Sequence, residues 1–396
     1  MLATITGVVL VIAATTTIAI AAGGGGPVPR PARLATAIHT ALVARQVPGI
    51  SAAITFTNRL INASEIQGPT DPLLSGGSGH LWLSSTGQLR IELYGDNGDP
   101  AVVVNTDSWW VSDPMTQTVY EGSLPKSGGS SDKKTSGSIP TVAQIQSDLN
   151  KLAVHLNVSG ALPTDVAGQP TYTVRVSSKQ SGGLIGEVQL AWDAIRGVPL
   201  RFGIYARGDS TPVLGLEATG ITYSRIDRSI FAISPPAGYK VVKVSTPAGN
   251  AASDRRSGKD SHRAHAAVTG ARAVAKHLPF DLVAPRTLAG LQRQSTTLLD
   301  WGGHPAALIT YGQNLGGIAV IEQAASATSS RRANLSASSG GAATGLVLPN
   351  VTIGGVSAQE LDTALGTILR FTRGSVTYTV VGSVAPHVAE AAARAL

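Results

Sequence analysis

The sequence predicts an α+β protein, with a large strand-rich domain followed by a smaller mixed one. Three observations lead there. Apolar residues alternate with period two in one segment after another, the mark of strands with one buried face. Two stretches instead repeat every three or four residues, as amphipathic helices do. The 396 residues include 45 glycines and 22 prolines, which suits many short strands joined by turns. A chain of this length fits two or three domains. Its 43% hydrophobic and 14% charged content can fill real cores and is too apolar for a disordered chain.

The elements follow in order. Leu2 to Ala22 is almost continuously apolar or threonine, with no charge before Arg30, and Gly23 to Pro27 end it. A run of this length can span a bilayer. It can also serve as a signal peptide cut near Ala19-Ile20-Ala21, although a basic leading stretch is absent. Residues 1–29 are thus a transmembrane anchor or a signal segment, and the length favours the anchor. Residues 31–47 read as a helix, with Leu34, Ile38 and Leu42 on one stripe and Pro48-Gly49 as its stop. From Ile50 the period becomes two. Strands are expected at Ile50–Phe56, His80–Ser84, Leu89–Tyr94, Ala101–Asn105, Trp109–Ser112 and Gln117–Glu121. Ser85-Thr86-Gly87, Asp96-Asn97-Gly98 and Asp113-Pro114 supply turns.

Lys126 to Ser138 is a serine, glycine and lysine tract expected to be a loop. A helix over 141–157 opens on Thr141 with Gln144 three residues on, a capping-box spacing. Val142, Ile145, Leu149, Leu152 and Leu156 form its stripe. Strands resume at Thr171–Val176, Gly186–Trp192, Leu200–Ala206, Val213–Ala218 and Tyr239–Val244. The main domain therefore covers 30–246, a basic linker 247–274, and a small α+β domain 275–396. In that domain strands are expected near Ala306–Tyr311, Gly317–Glu322, Val347–Ile353, Thr367–Phe371 and Ser375–Val381, before a helix over Pro386–Leu396.

Composition excludes several chemistries. Without cysteine there is no disulfide, thiolate zinc site or lipidated N-terminal cysteine. The net charge of +7 is concentrated: residues 250–277 hold six bases and two acids, hence +4. That segment has no aromatic to stack on bases, so nucleic acid is not an expected partner. A solvated linker, or attraction to an anionic membrane surface, explains it instead. Gly76-Gly77-Ser78-Gly79 lacks the spacing of a nucleophile elbow. Gly258-Lys259 lacks the rest of a phosphate loop, and His262 and His265 lack a third metal ligand. Asp96 to Asp99 is too short for a calcium loop. The expectation is a protein that is not an enzyme, with no cofactor and no metal.

Beyond these general features, motifs in a fixed order resemble a family. Gly79-His80-Leu81-Trp82-Leu83 is followed by Arg90-Ile91-Glu92-Leu93-Tyr94 and Val102-Val103-Val104-Asn105. Next come Ser108-Trp109-Trp110-Val111, an Asp-Pro turn and Thr118-Val119-Tyr120. Further on stand Trp192-Asp193, Gly197-Val198-Pro199-Leu200-Arg201 and Ser234-Pro235-Pro236-Ala237-Gly238. Residues 31–246 thereby resemble the LolA-like superfamily: lipoprotein carriers, the envelope-stress regulator RseB/MucB and mycobacterial lipid-binding lipoproteins. Arg370 to Tyr378 resembles a small uncharacterised domain found outside the membrane in Gram-positive bacteria. RseB likewise has a second small domain.

The resemblance implies an unclosed antiparallel half-barrel covered by lid helices, holding a lipid or an acylated lipoprotein. It implies, as the alternative, a sensor acting on a membrane regulator such as an anti-sigma factor. Alternation places Leu81, Leu83, Leu89, Ile91, Leu93, Val188, Leu190, Trp192, Phe202 and Ile204 each on one face of its strand. These ten are the candidate apolar trough, with Leu34, Ile38, Leu42, Ile145, Leu149 and Leu152 as the lid. The same alternation also fits a sheet packed on its own helices. The expected location is the cell membrane, single-pass with an extracytoplasmic body, or secretion if the first segment is cleaved. A retained anchor predicts that N-terminal sequencing of the membrane fraction finds residues 1–21 still attached. A soluble chain beginning near Ala22 is the opposite outcome.

Overall fold

The computed structural model describes residues 26–61, 71–124, 139–179, 182–243, 268–301, 304–313, 316–325 and 349–396. The first 25 residues, the 126–138 tract and most of the 247–274 linker, His262 and His265 included, lie outside the described residues. So do the first two residues of the Val347–Ile353 strand. Among the described residues no helix is long and apolar enough to cross a membrane. The chain divides into two units; the first takes in residues up to 245 other than 181–184, and the second the remainder.

The first unit opens with α1 (Leu34–Val43), β1 (Gly49–Asn58) and a single turn, α2 (Pro72–Ser75). A meander follows: β2 (Gly76–Ser84), β3 (Leu89–Leu93), β4 (Ala101–Val104), β5 (Ser108–Asp113) and β6 (Thr118–Ser123). Its turns are the expected ones, with Gly87 and Gly98 at positive φ and Asp113 accepting from the Met115 N–H. After α3 (Val142–Leu152) come β7 (Leu156–Val158), β8 (Leu162–Val166), β9 (Gln169–Ser178), β10 (Ile185–Asp193), β11 (Pro199–Ala206), β12 (Leu214–Thr222) and β13 (Lys240–Lys243).

All thirteen strands belong to one sheet, in the order β13-β6-β5-β4-β3-β2-β1-β12-β11-β10-β9-β7, with β8 beside β9. The order has two ends, so the sheet does not close on itself. Neighbours pair antiparallel except β13, which runs parallel to β6. The fold is the expected one: an unclosed antiparallel half-barrel with helices across one face. Two helix boundaries are corrected. α1 is shorter than 31–47. The second helix stops at Leu152, because Leu156 is drawn into β7, where it pairs with Ser178. At the start of α3 both halves of the capping box form between Thr141 and Gln144.

The second unit starts earlier than 275. Thr269 bridges Thr297, and α4 (Ala271–Ala275) plants Val274 in the core, so residues 268–274 are folded. An eight-stranded antiparallel sheet follows. It consists of β14 (Thr287–Leu288), β15 (Leu291–Trp301), β16 (His304–Tyr311), β17 (Ile318–Ala324), β18 (Asn350–Ile353), β19 (Val356–Thr363), β20 (Gly366–Arg373) and β21 (Val376–Gly382). Sequence reading missed β14, β15 and β19 here, as it missed β8 in the first unit. α5 (Pro386–Arg394) lays Ala389, Ala392 and Ala393 on one face of the sheet.

One polar group sits inside this second core. Glu322 on β17 faces the same way as Ile318 and Val320 and is fully buried. One oxygen accepts from the Val283 N–H at 3.0 Å, and the other has no partner. Burial pushes its pKa up to about 7. The unfolded chain therefore releases this proton near pH 4.5 while the fold holds it to about pH 7, so ionisation drains stability as pH rises between them. Glu322→Gln keeps the acceptor and cannot ionise. The variant should gain on the parent protein between pH 5 and 8 by up to roughly 3 kcal/mol, measured by urea unfolding. A gap that does not change with pH would contradict the assignment.

Candidate functional site

Cross-strand register decides which residues share a face. Leu81 stands opposite Ile91, Leu83 opposite Leu89, and Leu93 opposite Gly79. On the other side of β2, Ile50 pairs with Leu83 and Ala52 with Leu81. β1 hands the same face on to β12, where Phe56 meets Leu216. Phe202 then pairs with Leu216 and Ile204 with Leu214. Leu190 pairs with Phe202 and Val188 with Ile204, and Trp192 falls in with Tyr172 of β9. All ten candidate trough residues therefore lie on one continuous face, although they come from four strands of both halves.

The opposite face is polar and internally paired. Arg201 and Glu217 meet at 2.6 Å, and Arg175 reaches Glu187 at 4.0 Å. Arg90 pairs with Glu92 and lies over the Trp82 ring. At the β4–β6 end this face turns apolar. Trp110 packs there with Val103 and Val119 under Ile233 and Tyr239, and Trp109 points to the other side. The adjacent tryptophans thus serve opposite faces, as two successive strand residues must.

The apolar face is not uniformly open. Over β9 and β10, both helices sit on it. Leu34, Ile145 and Leu149 are buried against Tyr172, Val174, Val176 and Trp192, with Ile38, Leu42 and Leu190 at the margin. Leu190 and Trp192 are therefore core beneath the lid rather than cavity wall. Leu152 is half-buried and lies outside that cluster. Leu93 is buried and Ile91 packs beside it on Ile50, Ala52 and Ile54.

Between the helices and the meander the face is left hollow. A cavity of about 500 Å³ opens over β1, β2, β11 and β12. Leu81, Leu83, Leu89 and Phe202 line it, whereas Ile91, Leu93, Val188, Leu190, Trp192 and Ile204 do not. Sequence reading missed the rest of the wall: Ile50, Ala52 and Ile54 of β1, Leu216, Ala218 and Ile221 near β12, and Pro199 and Leu200. The β1 and β12 residues alternate legibly; only pairing across the sheet shows that they face Leu81 and Phe202.

The rim of the hollow is held by one turn. Asp193 ends β10 fully buried, and one carboxylate oxygen accepts from the Ile195 and Arg196 N–H groups at 2.8 and 2.9 Å. The other oxygen accepts from the Tyr223 hydroxyl at 2.7 Å and the Arg196 guanidinium at 3.0 Å. Burial alone would raise its pKa, but these bonds outweigh it and hold the carboxyl below its usual range. Burial and the Asp193 bond push the Tyr223 hydroxyl far up. Arg196 stacks on the Tyr223 ring at 4.3 Å. Gly197 follows at φ 69°, and a Cβ there would stand 2.4 Å from the Ala41 carbonyl of α1. The same turn that shapes the rim thus seats the lid helix.

An open antiparallel sheet with two helices on its apolar face is the LolA-like architecture implied by the sequence motifs. Structurally similar proteins include Pseudomonas aeruginosa MucB in complex with MucA. That match has 14% identity and a TM-score of 0.42 and covers 91% of this chain and 96% of that one. MucB alone matches at 15% identity and a TM-score of 0.37, covering 91% and 96%. A LolA superfamily protein from Nitrosomonas europaea matches at 11% identity and a TM-score of 0.20, covering 51% of this chain and 98% of its own. No protein-family model matches the sequence, and no curated protein matches it.

The Asp193 cluster yields a stability test with a defined sign. A carboxyl held below its unfolded pKa stabilises the fold above about pH 4 and loses that contribution as pH falls through the folded pKa. Asp193→Asn would set an NH2 group against two donors and should cost about 3 kcal/mol at pH 7. Tyr223→Phe should cost about 1 kcal/mol. Both deficits should narrow at pH 3 in urea titrations; an Asp193→Asn deficit that stays constant would refute the charged cluster.

Proposed function

We propose that the first unit binds the acyl chain of a lipid or acylated lipoprotein in this hollow, outside the cytoplasmic membrane, without enzymatic activity. One observation carries the reading. The apolar face is covered by helices over β9 and β10 and borders the cavity over β1, β2, β11 and β12, where Ile50, Ala52 and Ile54 are buried at its base but Phe202 remains 39% exposed. Leu81, Leu83 and Leu89 are likewise only half-buried. Concentrated hydrocarbon lining a concave space is what an apolar ligand requires. Each methylene buried there gains about 0.8 kcal/mol, so roughly ten contribute about 8 kcal/mol before ordering costs. The N-terminal apolar segment would serve as tether, in place of the lipidated cysteine used by the mycobacterial lipid binders.

A second reading gives the protein a sensing role, with the second unit docking on a membrane regulator. Its support is a row of apolar residues in register on that unit's outer face. Ala319 lies opposite Val381, Val381 opposite Ile368, and Ile368 opposite Leu361, with Ile368 and Val381 each 38% exposed. The two readings share the hollow and differ in what its occupancy controls. Lysines at Ile368 and Val381 would abolish regulator capture in the second reading and leave acyl uptake untouched.

The acyl-binding reading is tested with the full chain. Mass spectrometry of organic extracts should find lipid co-purifying with it, and a fluorescent fatty acyl probe should brighten on binding. Leu81→Arg and Leu83→Arg, at half-buried positions, should each weaken the probe more than tenfold with little change in unfolding midpoint. An empty extract together with a dark probe would end the proposal.

A further inference from the structure

Apart from Arg201, which sits within β11 and pairs with Glu217 on the opposite, polar face, the polar groups lining the hollow are at one of its ends. Strand β1 is antiparallel to both β2 and β12, and β11 is antiparallel to β12. The starts of β1 and β11 and the end of β2 therefore lie at the same end of the sheet. Arg45 and Gln46 precede β1, Ser84 and Ser85 close β2, and Arg196 precedes β11; all five line the hollow. Away from that end the wall is hydrocarbon: Ile54, Leu81, Phe202 and Leu216. The space is thus amphipathic along its length, with a polar mouth at this end and an apolar stretch beyond it.

The mouth also has a definite sign. Three arginines and no carboxylate belong to the lining. Two of the three are already neutralised: Arg196 by Asp193 at 3.0 Å and Arg201 by Glu217 at 2.6 Å. Arg45 is exposed, and among the described residues no carboxylate pairs with it. Gln46 is turned to the opposite side of the mouth, where its amide donates to the Ser85 carbonyl at 2.9 Å. A volume of about 500 Å³ is in the lower half of the range for pockets that enclose a drug-sized ligand, which suits one chain rather than several.

We propose that the hollow selects a single-chain amphiphile with an anionic head, its tail over Leu81 and Phe202 and its head on Arg45. This rests on the acyl-binding reading above and adds head charge and chain number to it. Fatty carboxylates and lysophospholipids share the required chemistry, and the test separates them. The full chain loaded with a fluorescent acyl probe is titrated with competitors of one chain length. These are a fatty carboxylate, lysophosphatidylglycerol, a monoacylglycerol, an alkyltrimethylammonium and two-chain phosphatidylglycerol.

The anionic single-chain compounds should compete about three- to fivefold better than monoacylglycerol at low salt, as an exposed ion pair permits. The cationic one should compete worst, and 0.5 M salt should compress the whole series. The stronger of the two anions names the head. Arg45→Gln should bring anionic and neutral affinities together. Equal affinities in the parent protein, or a charge preference that survives Arg45→Gln, would overturn the proposal. Equally strong competition by phosphatidylglycerol would overturn the single-chain assignment. Failure of the probe itself to bind would instead strike the acyl-binding reading beneath it.

Discussion

An open sheet cannot cover its own apolar face, and that constraint organises the first unit. Alternation gives β3, β2, β1, β12, β11 and β10 each one hydrocarbon side, and register places those sides together. The opposite side holds paired charges such as Arg201 with Glu217, which are stable in water and need no cover. A closed barrel would bury its apolar side against itself. Here two helices of 10 and 11 residues must do the covering, and they extend only over β9 and β10. The hollow lies within the remainder, over β1, β2, β11 and β12. Its existence follows from the mismatch between sheet width and helix length rather than from any special residue.

The position of that boundary is set by the Asp193 turn. A buried carboxylate with four hydrogen bonds is costly unless every bond is made, so the turn has little freedom to shift. Gly197 then abuts Ala41 so closely that no side chain fits. Arg30 and Ala32 fasten the approach to α1 from the other end, through the Tyr172 hydroxyl at 2.6 Å and the bridge to Ala161. The helix is thereby fixed at both ends, and the rim residues Arg45 to Val47 hang from its C-terminal side.

Much of this was legible in the sequence because its signals are local. The alternating runs, the Gly87 and Gly98 turns and the Thr141–Gln144 box depend on neighbours within a few residues, and each formed as read. What failed was decided at a distance. Leu156 continues the helical stripe of Leu149 and Leu152, yet β9 claims its backbone from twenty-two positions away. β19 places the small Ala358 and the charged Glu360 inward, so its buried face lacks the hydrocarbon signal that alternation relies on. Within the candidate site, period two sorted the ten residues onto one face. It could not say that Leu190 and Trp192 sit under helices while Leu83 and Phe202 do not, because helix docking is a tertiary event.

The fixed lid also bears on how a ligand would enter. In a carrier whose helices swing away, the covering residues would be weakly held and the rim free to follow them. Here Leu34 and Leu149 are buried with Trp192, so lifting α1 or α3 would expose a core before it exposed the hollow. Releasing α1 would further require breaking its close fit to Gly197 and the bond from Tyr172. The mouth between Arg45, Ser85 and Arg196 needs no such disruption, since its groups are exposed or half-buried already. Among the described residues the hydrogen bond that crosses it, from Gln46 to the Ser85 carbonyl, is exposed and worth about 1 kcal/mol. Entry by the tail through that mouth, with the head stopping at the rim, costs the fold least.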